Sequence, residues 1–414
     1  MKVLMRFGDL MLKGRNKKMF INKIRSHVSN KFKNYDVATD FRHDRIYIDF
    51  DEQLLELVEK KINEIPGISS YSIIYVAENE TEKIVELASN ILNQTLDVKK
   101  VYDFKIETKR SNKRFVHTSQ EFTKIVAPLI LKMTNIELKV NVRNPEVTLN
   151  IDIRDDGTYI YLDKIKAMGG YPAGIAGKGL VMMSGGIDSP VASYLAIKQG
   201  VEVELLHFES SPMTPLESVN KVIDLATKLA VFVPGGKIKL HLVPFTEIHK
   251  EILRKLDNSY SITIMRRMMY RIAEAYASKN NIPIIINGES IGQVASQTLS
   301  SMLVVENVTR LPIIRPLATY DKQDIITISR KIDTYDISIK PFQDCCSIYV
   351  PQNPVINPTL EKCEAEESKG DFSDLIIEAV NNIATLVIKE DTKIELEMYG
   401  FDVTEALKNM REQK

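Results

Sequence analysis

Residues 184–190 read Ser-Gly-Gly-Ile-Asp-Ser-Pro and follow the apolar run Leu180-Val181-Met182-Met183. Two adjacent glycines can take positive φ and bring bare backbone amides close to an anion. Ser189 suits an N-cap and Pro190 suits the first helical position after it. Gly200 stands where such a helix should stop. The expected product is a helix N-terminus aimed at a loop rich in N–H donors, which attracts phosphate. Asp188 makes sense among phosphates if it helps hold Mg2+, whose ligands are oxygens. The plainer reading is an acid placed beside a helix dipole.

A second chemistry is available to the adjacent thiols Cys345 and Cys346. The chain has three cysteines, the third being Cys363. An odd, small count in a long chain argues against a disulfide framework. No CxxC pair or Cys/His cluster has zinc-site spacing, and the six histidines form no HExxH. A neighbouring pair is a poor chelate and would make a strained disulfide. By residue type alone the pair reads as buried packing cysteines. Gly177-Lys178 resembles the end of a Walker A loop, but Pro172 stands where its first glycine belongs and Gly179 where Ser or Thr is needed.

These residues need elements to position them. The chain has 414 residues, 44% hydrophobic and 27% charged, which is ordinary for a soluble protein of two or three domains. The apolar start is interrupted by Asp9, and no run approaches the ~18 apolar residues of a membrane span. A cytoplasmic address is expected. Apolar spacing predicts strand 3–7, helix 17–33, strands 35–38 and 45–50, helix 52–64 and strand 69–76, the β-α-β-β-α-β order of a ferredoxin-like unit. A second α+β unit follows: helix 81–94, strand 101–108, helix 119–133, and strands 138–143, 147–153 and 158–163. Asp155-Asp156-Gly157 should turn the last two into a hairpin. Val147–Ile153 alternates cleanly, as a strand with one covered face does. The glycine-rich stretch 169–179 is expected to be a connector.

From Leu180 the pattern becomes strand–helix alternation. Strands are predicted at 180–183, 201–208, 237–243, 283–287 and 312–315, and helices at 190–199, 215–232, 246–256, 261–279, 297–308 and 322–332. Short apolar strands between helices indicate a parallel, doubly wound α/β sheet. The formal net charge of zero hides an asymmetry. Residues 1–50 hold 12 Lys/Arg against 5 Asp/Glu, residues 51–100 hold 5 against 10, and residues 101–150 hold 9 against 5. Two basic segments could form a patch for a polyanion or simply be solvated faces.

The match Ser-Gly-Gly-x-Asp-Ser in a strand–loop–helix context resembles the pyrophosphatase loop (PP-loop) of ATP enzymes that release pyrophosphate and transfer AMP. The chain as a whole resembles tRNA 4-thiouridine synthetase, also called tRNA sulfurtransferase. The resemblance is carried by FGDLMLKGRN (7–16), IRDDGTYIYLDKIKAMGGYPAG (153–174), SGGIDSPVASYLAIKQG (184–200), IMRRMM (264–269), NGESIGQVASQTLSSM (287–302), RPLATYDKQDI (315–325) and TYDISIKPFQDCC (334–346). It implies an N-terminal ferredoxin-like domain (1–77), a THUMP RNA-binding domain (78–168), a linker (169–179) and a PP-loop ATP pyrophosphatase domain (180–414).

The resemblance also implies a reaction. AMP from ATP, with Mg2+, would be placed on the C4 oxygen of uridine 8 in tRNA, making that oxygen a leaving group. A cysteine persulfide would then supply sulfur to give 4-thiouridine. Carried over by motif, Cys346 is the persulfide carrier, and Asp188 and Lys322 serve catalysis, with Asp188 as the metal ligand. Met182, Met183, Ser184, Gly185, Gly186, Asp188, Ser189, His207, Phe208, Arg266, Gly288 and Gln297 match nucleotide-contacting positions. By residue type, Met182 and Phe208 could equally be core, and Lys322 a cation at a helix start. Lys13, Arg15, Lys17, Lys109, Arg110, Lys113 and Arg114 would line the RNA path. A cysteine desulfurase is the implied persulfide donor and a homodimer the implied assembly. Cys345 or Cys363 could resolve the intermediate. Family members also feed sulfur into the thiamine thiazole, a role tied to a C-terminal rhodanese domain for which the stretch beyond Cys346 leaves no room. Asp333 stands where the family usually has Gly and is expected to take the left-handed conformation at a helix end. A PP-loop ligase acting on a small molecule, or a non-catalytic RNA-binding protein, are the competing readings.

Overall fold

The computed structural model describes residues 1–8, 17–42, 45–162, 164–293, 297–345 and 351–412. Lys13, Arg15 and Cys346 lie outside them. The chain divides into two compact units, Met1–Gly170 and Tyr171–Lys414.

In the first unit, β1 (Lys2–Phe7), α1 (Lys17–Phe32), β2 (Val37–Phe41), β3 (Arg45–Phe50), α2 (Leu55–Asn63) and β4 (Ile68–Ala77) follow the expected order. β1 pairs antiparallel with both β3 and β4, and β2 lies at the edge beside β3. α1 buries Ile21, Ile24, Val28 and Phe32, one helical stripe. The second strand starts at Val37 rather than residue 35, because Tyr35 belongs to a turn in which its N–H donates to Phe32 O at 3.1 Å.

The unit continues with α3 (Thr81–Thr95), β5 (Val101–Arg110), α4 (Ser119–Met133), β6 (Glu137–Val140), β7 (Val147–Arg154), β8 (Gly157–Tyr161) and β9 (Ile165–Lys166). A reciprocal cap fixes the start of α4: Glu121 N donates to the Thr118 hydroxyl at 3.3 Å, and Thr118 N to the Glu121 carboxylate at 2.9 Å. The expected hairpin forms, with Arg154 paired to Gly157 across Asp155-Asp156. Leu149, Ile151 and Ile153 of β7 pack under α3 and α4, which explains the clean alternation. β4 serves both halves: its start pairs with β1 and its last three residues, Tyr75 to Ala77, pair with β8.

The second unit comprises β10 (Lys178–Met182), α5 (Asp188–Lys198), β11 (Glu202–Glu209), α6 (Leu216–Ala230), β12 (Lys237–Pro244), α7 (Thr246–Lys255), α8 (Ser261–Lys279), β13 (Ile285–Ile286), α9 (Leu299–Glu306), β14 (Ile313–Ile314), α10 (Lys322–Lys331), α11 (Tyr335–Ser338), α12 (Leu360–Glu367), α13 (Ser373–Asn381), β15 (Ala384–Lys389) and α14 (Val403–Glu412). Five strands are parallel in the order β14-β13-β10-β11-β12, and β15 adds an antiparallel edge against β12. Helices pack in two layers, α5 with α6 and α10, and α8 with α7, α9 and α13. The fold is therefore a doubly wound α/β sheet joined in sequence to α+β modules.

The chain leaves β10 toward β11 and later returns on β10's other side as β13. The loops after β10 and β13 thus diverge at the carboxyl edge, a topological switch point, where open α/β sheets bind ligands. Much of the glycine-rich stretch expected as a connector packs with this unit. Tyr171 N donates to Lys198 O at 2.8 Å and Ala176 N to Gly200 O at 3.0 Å. Gly200 (φ 87°) and Asp333 (φ 56°) take the left-handed conformation expected after helices.

A buried polar cluster ties the edge strand to the sheet. His241 Nε2 lies 3.0 Å from the Glu204 carboxylate, and its Nδ1 lies 2.8 Å from Thr385 Oγ1 of β15. The His241 hydrogen bond, assisted by Lys239, holds the Glu204 carboxyl down at about 2, against the opposing effect of burial. A carboxyl depressed in the fold contributes stability above its unfolded pKa and loses it as pH falls toward the folded value. Urea titrations of wild type and Glu204→Gln across pH 7 to 2 should therefore show a gap of about 1.5–3 kcal/mol at neutral pH, typical of a hydrogen bond to a charged group. The gap should close below pH ~4.5. A pH-independent gap would contradict the assignment.

Candidate active site

Residues 183–187 turn from β10 into α5. The helix begins at Asp188, two residues earlier than the Pro190 start expected, with Ile187 at the N-cap and no side-chain cap there. Ser189 is not the N-cap. Its hydroxyl turns back on the loop, accepting from Ser184 N at 2.9 Å and lying 3.0 Å from Ser184 O. That clip closes the loop over the helix start.

Neither Gly185 nor Gly186 adopts positive φ. Gly185 is needed for space instead. A Cβ there would sit 3.0 Å from Asp344 Oδ1 and 3.2 Å from Lys221 Cδ, whereas one on Gly186 meets nothing closer than 3.5 Å. The tightest approach is at Gly288, in the loop after β13. A Cβ there would stand 2.7 Å from Ser189 N and 2.8 Å from Asp188 C. Two stretches of backbone meet at the switch point with no room for a side chain.

Charged groups converge around this contact. Asp188 accepts from Lys322 Nζ at 2.6 Å and from Gln293 Nε2 at 2.9 Å. Asp188 and Lys322, both carried over by motif as serving catalysis, thus form a single ion pair, with Lys322 opening α10. Glu289 pairs with Arg266 and accepts from Arg315 Nε at 2.9 Å and Asn287 Nδ2 at 2.8 Å. Burial pushes the Tyr270 phenol up, and its oxygen accepts from Asn287 at 2.5 Å. His207 Nδ1 is bonded to Met183 O at 2.9 Å, which fixes the ring against β10.

Asp188, Arg266, Glu289, Asn287, Tyr270 and His207 help line a cavity of about 560 Å³, with Lys322 and Arg315 bonded to its carboxylates from outside the lining. Met182, Met183, Ser184, Gly186, Asp188, Ser189, His207, Phe208, Arg266, Gly288 and Gln297 all line it. Gly185 is not in the lining; its amide donates to Asp344 Oδ2 at 2.7 Å. Phe208 does both things the sequence allowed, packing edge-on to Phe245 at 5.5 Å while facing the cavity. Cys345 lines the same cavity. Cys363 is fully buried on α12, and burial pushes its thiol up, the setting of an inert packing cysteine. Among the described residues no group of three or more His, Cys, Asp and Glu is placed to hold a metal ion. None of their helices is long and apolar enough to cross a membrane.

Sequence reasoning missed Glu289, Asn287, Lys221 and Asp344. Glu289 and Asn287 sit in the Asn-Gly-Glu-Ser loop at the carboxyl end of a parallel strand, a position that could have flagged them. Lys221 lies on the buried face of α6, and burial lowers its ammonium pKa against the opposing pull of Asp344. In the first unit, Lys17 opens α1, and Lys109, Lys113 and Arg114 are exposed. Arg110 is turned inward, donating to Phe115 O at 3.2 Å and His117 O at 3.3 Å. It braces the loop that carries Lys113 and Arg114.

A phosphate-type loop at the switch point of a doubly wound sheet, following a ferredoxin-like unit, defines the class as a PP-loop protein. Comparison with known families gives matches over all three parts. Residues 2–72 match the ThiI ferredoxin-like domain, 78–163 the THUMP domain, and 174–372 the family Thiamine biosynthesis protein (ThiI). The chain is 54% identical over 405 residues to a probable tRNA sulfurtransferase of Acholeplasma laidlawii, covering 98% of both chains. It is 41% identical over 392 residues to one of Geobacillus kaustophilus, covering 94% of this chain and 96% of that one. A crystal structure of a 4-thiouridine synthetase–RNA complex with bound ATP superposes with a TM-score of 0.81 at 33% identity, covering 94% of this chain and 99% of that one. The chain belongs to the ThiI family of tRNA sulfurtransferases.

The glycine contacts can be tested directly. Gly288→Ala should destabilise the second unit by roughly 1–3 kcal/mol, as forced overpacking does. Gly186→Ala should change stability by less than about 0.5 kcal/mol. Denaturant unfolding of both variants checks the contrast, and equal effects would refute the spatial account.

Proposed function

We propose that this chain is an ATP-dependent sulfurtransferase that converts uridine 8 of tRNA to 4-thiouridine. One observation carries the reading: PP-loop residues, Asp188 with Lys322 bonded behind it, and the Cys345 end of the thiol pair meet at one cavity, which Asp188 and Cys345 line. Bare amides at the start of α5 suit the nucleotide's phosphates. Lys322 and Arg266 would offset charge on departing pyrophosphate. The apolar side made by Met182, Phe208 and Met265 suits an adenine. With AMP on the C4 oxygen, the uracil carbon becomes open to a sulfur nucleophile, and Cys346, next in sequence to Cys345, is assigned as the persulfide carrier.

The donor set fits Mg2+ held mostly by phosphate oxygens and water, since Asp188 supplies a carboxylate at the loop and such sites need only one or two. Bound there, Mg2+ would neutralise phosphate charge. A pyridoxal-phosphate cysteine desulfurase is the proposed source of the persulfide sulfur, and a homodimer the proposed assembly. Cys345 is also buried but lines the cavity, whereas Cys363 does not, so Cys345 or an outside thiol is the proposed resolver of the intermediate.

Unmodified tRNA incubated with the protein, ATP, cysteine and a desulfurase should yield 4-thiouridine on nucleoside mass analysis. Cys346→Ala should bind tRNA normally and form none; persistent thiolation would reject its role. On the RNA side, Lys113→Ala and Arg114→Ala should each weaken tRNA binding and reduce the slope of log affinity against log salt by about 1. Unchanged slopes would make these residues ordinary surface.

A further inference from the structure

The segment leading into the thiol pair is fastened to the PP-loop itself. Gly185 N, a loop amide, donates to Asp344 Oδ2 at 2.7 Å. Ser338 Oγ reaches Gly186 O at 3.3 Å. From α6, buried Lys221 grips the same segment, its Nζ lying 3.0 Å from Lys340 O and 3.4 Å from Phe342 O. Lys340 in turn pairs with Asp224 at 2.9 Å. Residues 338–344 are thus held at several points, and at Gly185 the tie is an anion on a loop amide. A carboxylate there does what a phosphate oxygen would do: it satisfies an N–H that a glycine leaves bare. Both are anions, so they compete for one donor and repel each other across a few ångströms.

Resting on the PP-loop reading above, we propose that Asp344 is a positioning residue whose docking on Gly185 is antagonised by the nucleotide's pyrophosphate. While pyrophosphate occupies the loop, Asp344 is displaced and the segment loosens. When pyrophosphate leaves, the carboxylate returns to Gly185 and draws the thiol-bearing segment back to the cavity. Sulfur delivery is thereby ordered after adenylation and product release. Lys221 anchors the segment from α6, through its bonds to the Lys340 and Phe342 carbonyls.

The test uses the full chain, with inorganic pyrophosphate and ATP as probes. Hydrogen exchange of residues 338–345 should accelerate in wild type when pyrophosphate is added. Asp344→Asn should show the faster exchange without ligand. It should also bind pyrophosphate more tightly, by about five-fold, the scale of removing one like-charge contact near a surface. The kinetic signature is a split: Asp344→Asn lowers KM for ATP in tRNA-dependent pyrophosphate release while lowering kcat for thiolation. Weaker pyrophosphate binding by the variant would make Asp344 a ligand-serving or metal-serving group and overturn the proposal. Exchange in wild type that is unchanged or slowed by pyrophosphate would overturn it as well, with no variant needed. Wild type that binds neither probe would overturn the nucleotide-site reading itself, an outcome distinct from these two.

Discussion

Backbone lying against backbone at Gly288 is the constraint on which the site depends. The loop after β13 approaches the first turn of α5 so closely that a Cβ would stand 2.7 Å from Ser189 N. That approach is possible because β10 and β13 are neighbours whose outgoing loops diverge. It places the charges of Glu289, Arg266 and Arg315 beside the α5 N-terminus, with Lys322 completing the ring through Asp188. Remove the contact and the cavity loses the wall that faces the phosphate loop.

The site is built by mutual restraint more than by any single strong bond. Ser189 clips the loop to Ser184, Asp344 fills the Gly185 amide, and Glu289 collects two arginines. Each such contact matters where its groups are buried, since an unpaired buried polar group costs about 1–3 kcal/mol. The arrangement is therefore pre-organised, and on the proposed reading a phosphate would take the place of the Asp344 carboxylate on the Gly185 amide.

Much of this was legible in residue order. The strand–helix alternation from Leu180 announced the doubly wound sheet, and Ser184–Pro190 announced a phosphate loop at its first strand. The hairpin at Asp155-Asp156-Gly157 was readable from turn chemistry, and the left-handed Asp333 from the glycine usual at that position in the family the chain resembles. The error about Ser189 has a clear cause: Ser and Pro next to each other signal an N-cap only where the hydroxyl has no better partner, and here Ser184 supplies one. The glycine error is similar, because the residue type tells of tolerance but not of whether φ or space is the need. The elements beyond residue 332, including the edge strand β15, went unread. Their short apolar stretches have no clear period, and β15 is recruited by long-range pairing with β12. Asp344, Lys221 and Glu289 were hidden for the same reason: their roles come from contacts across more than 20 residues of chain.

The central claim is that the PP-loop cavity transfers AMP from ATP to a base in RNA. It is tested most directly by incubating the protein with unmodified tRNA and ATP labelled at the α-phosphate, with no sulfur donor present. The account predicts label on the tRNA in step with pyrophosphate released, and no such label in Asp188→Ala. Label that stays in free nucleotide, or transfer of the γ-phosphate instead, would contradict it.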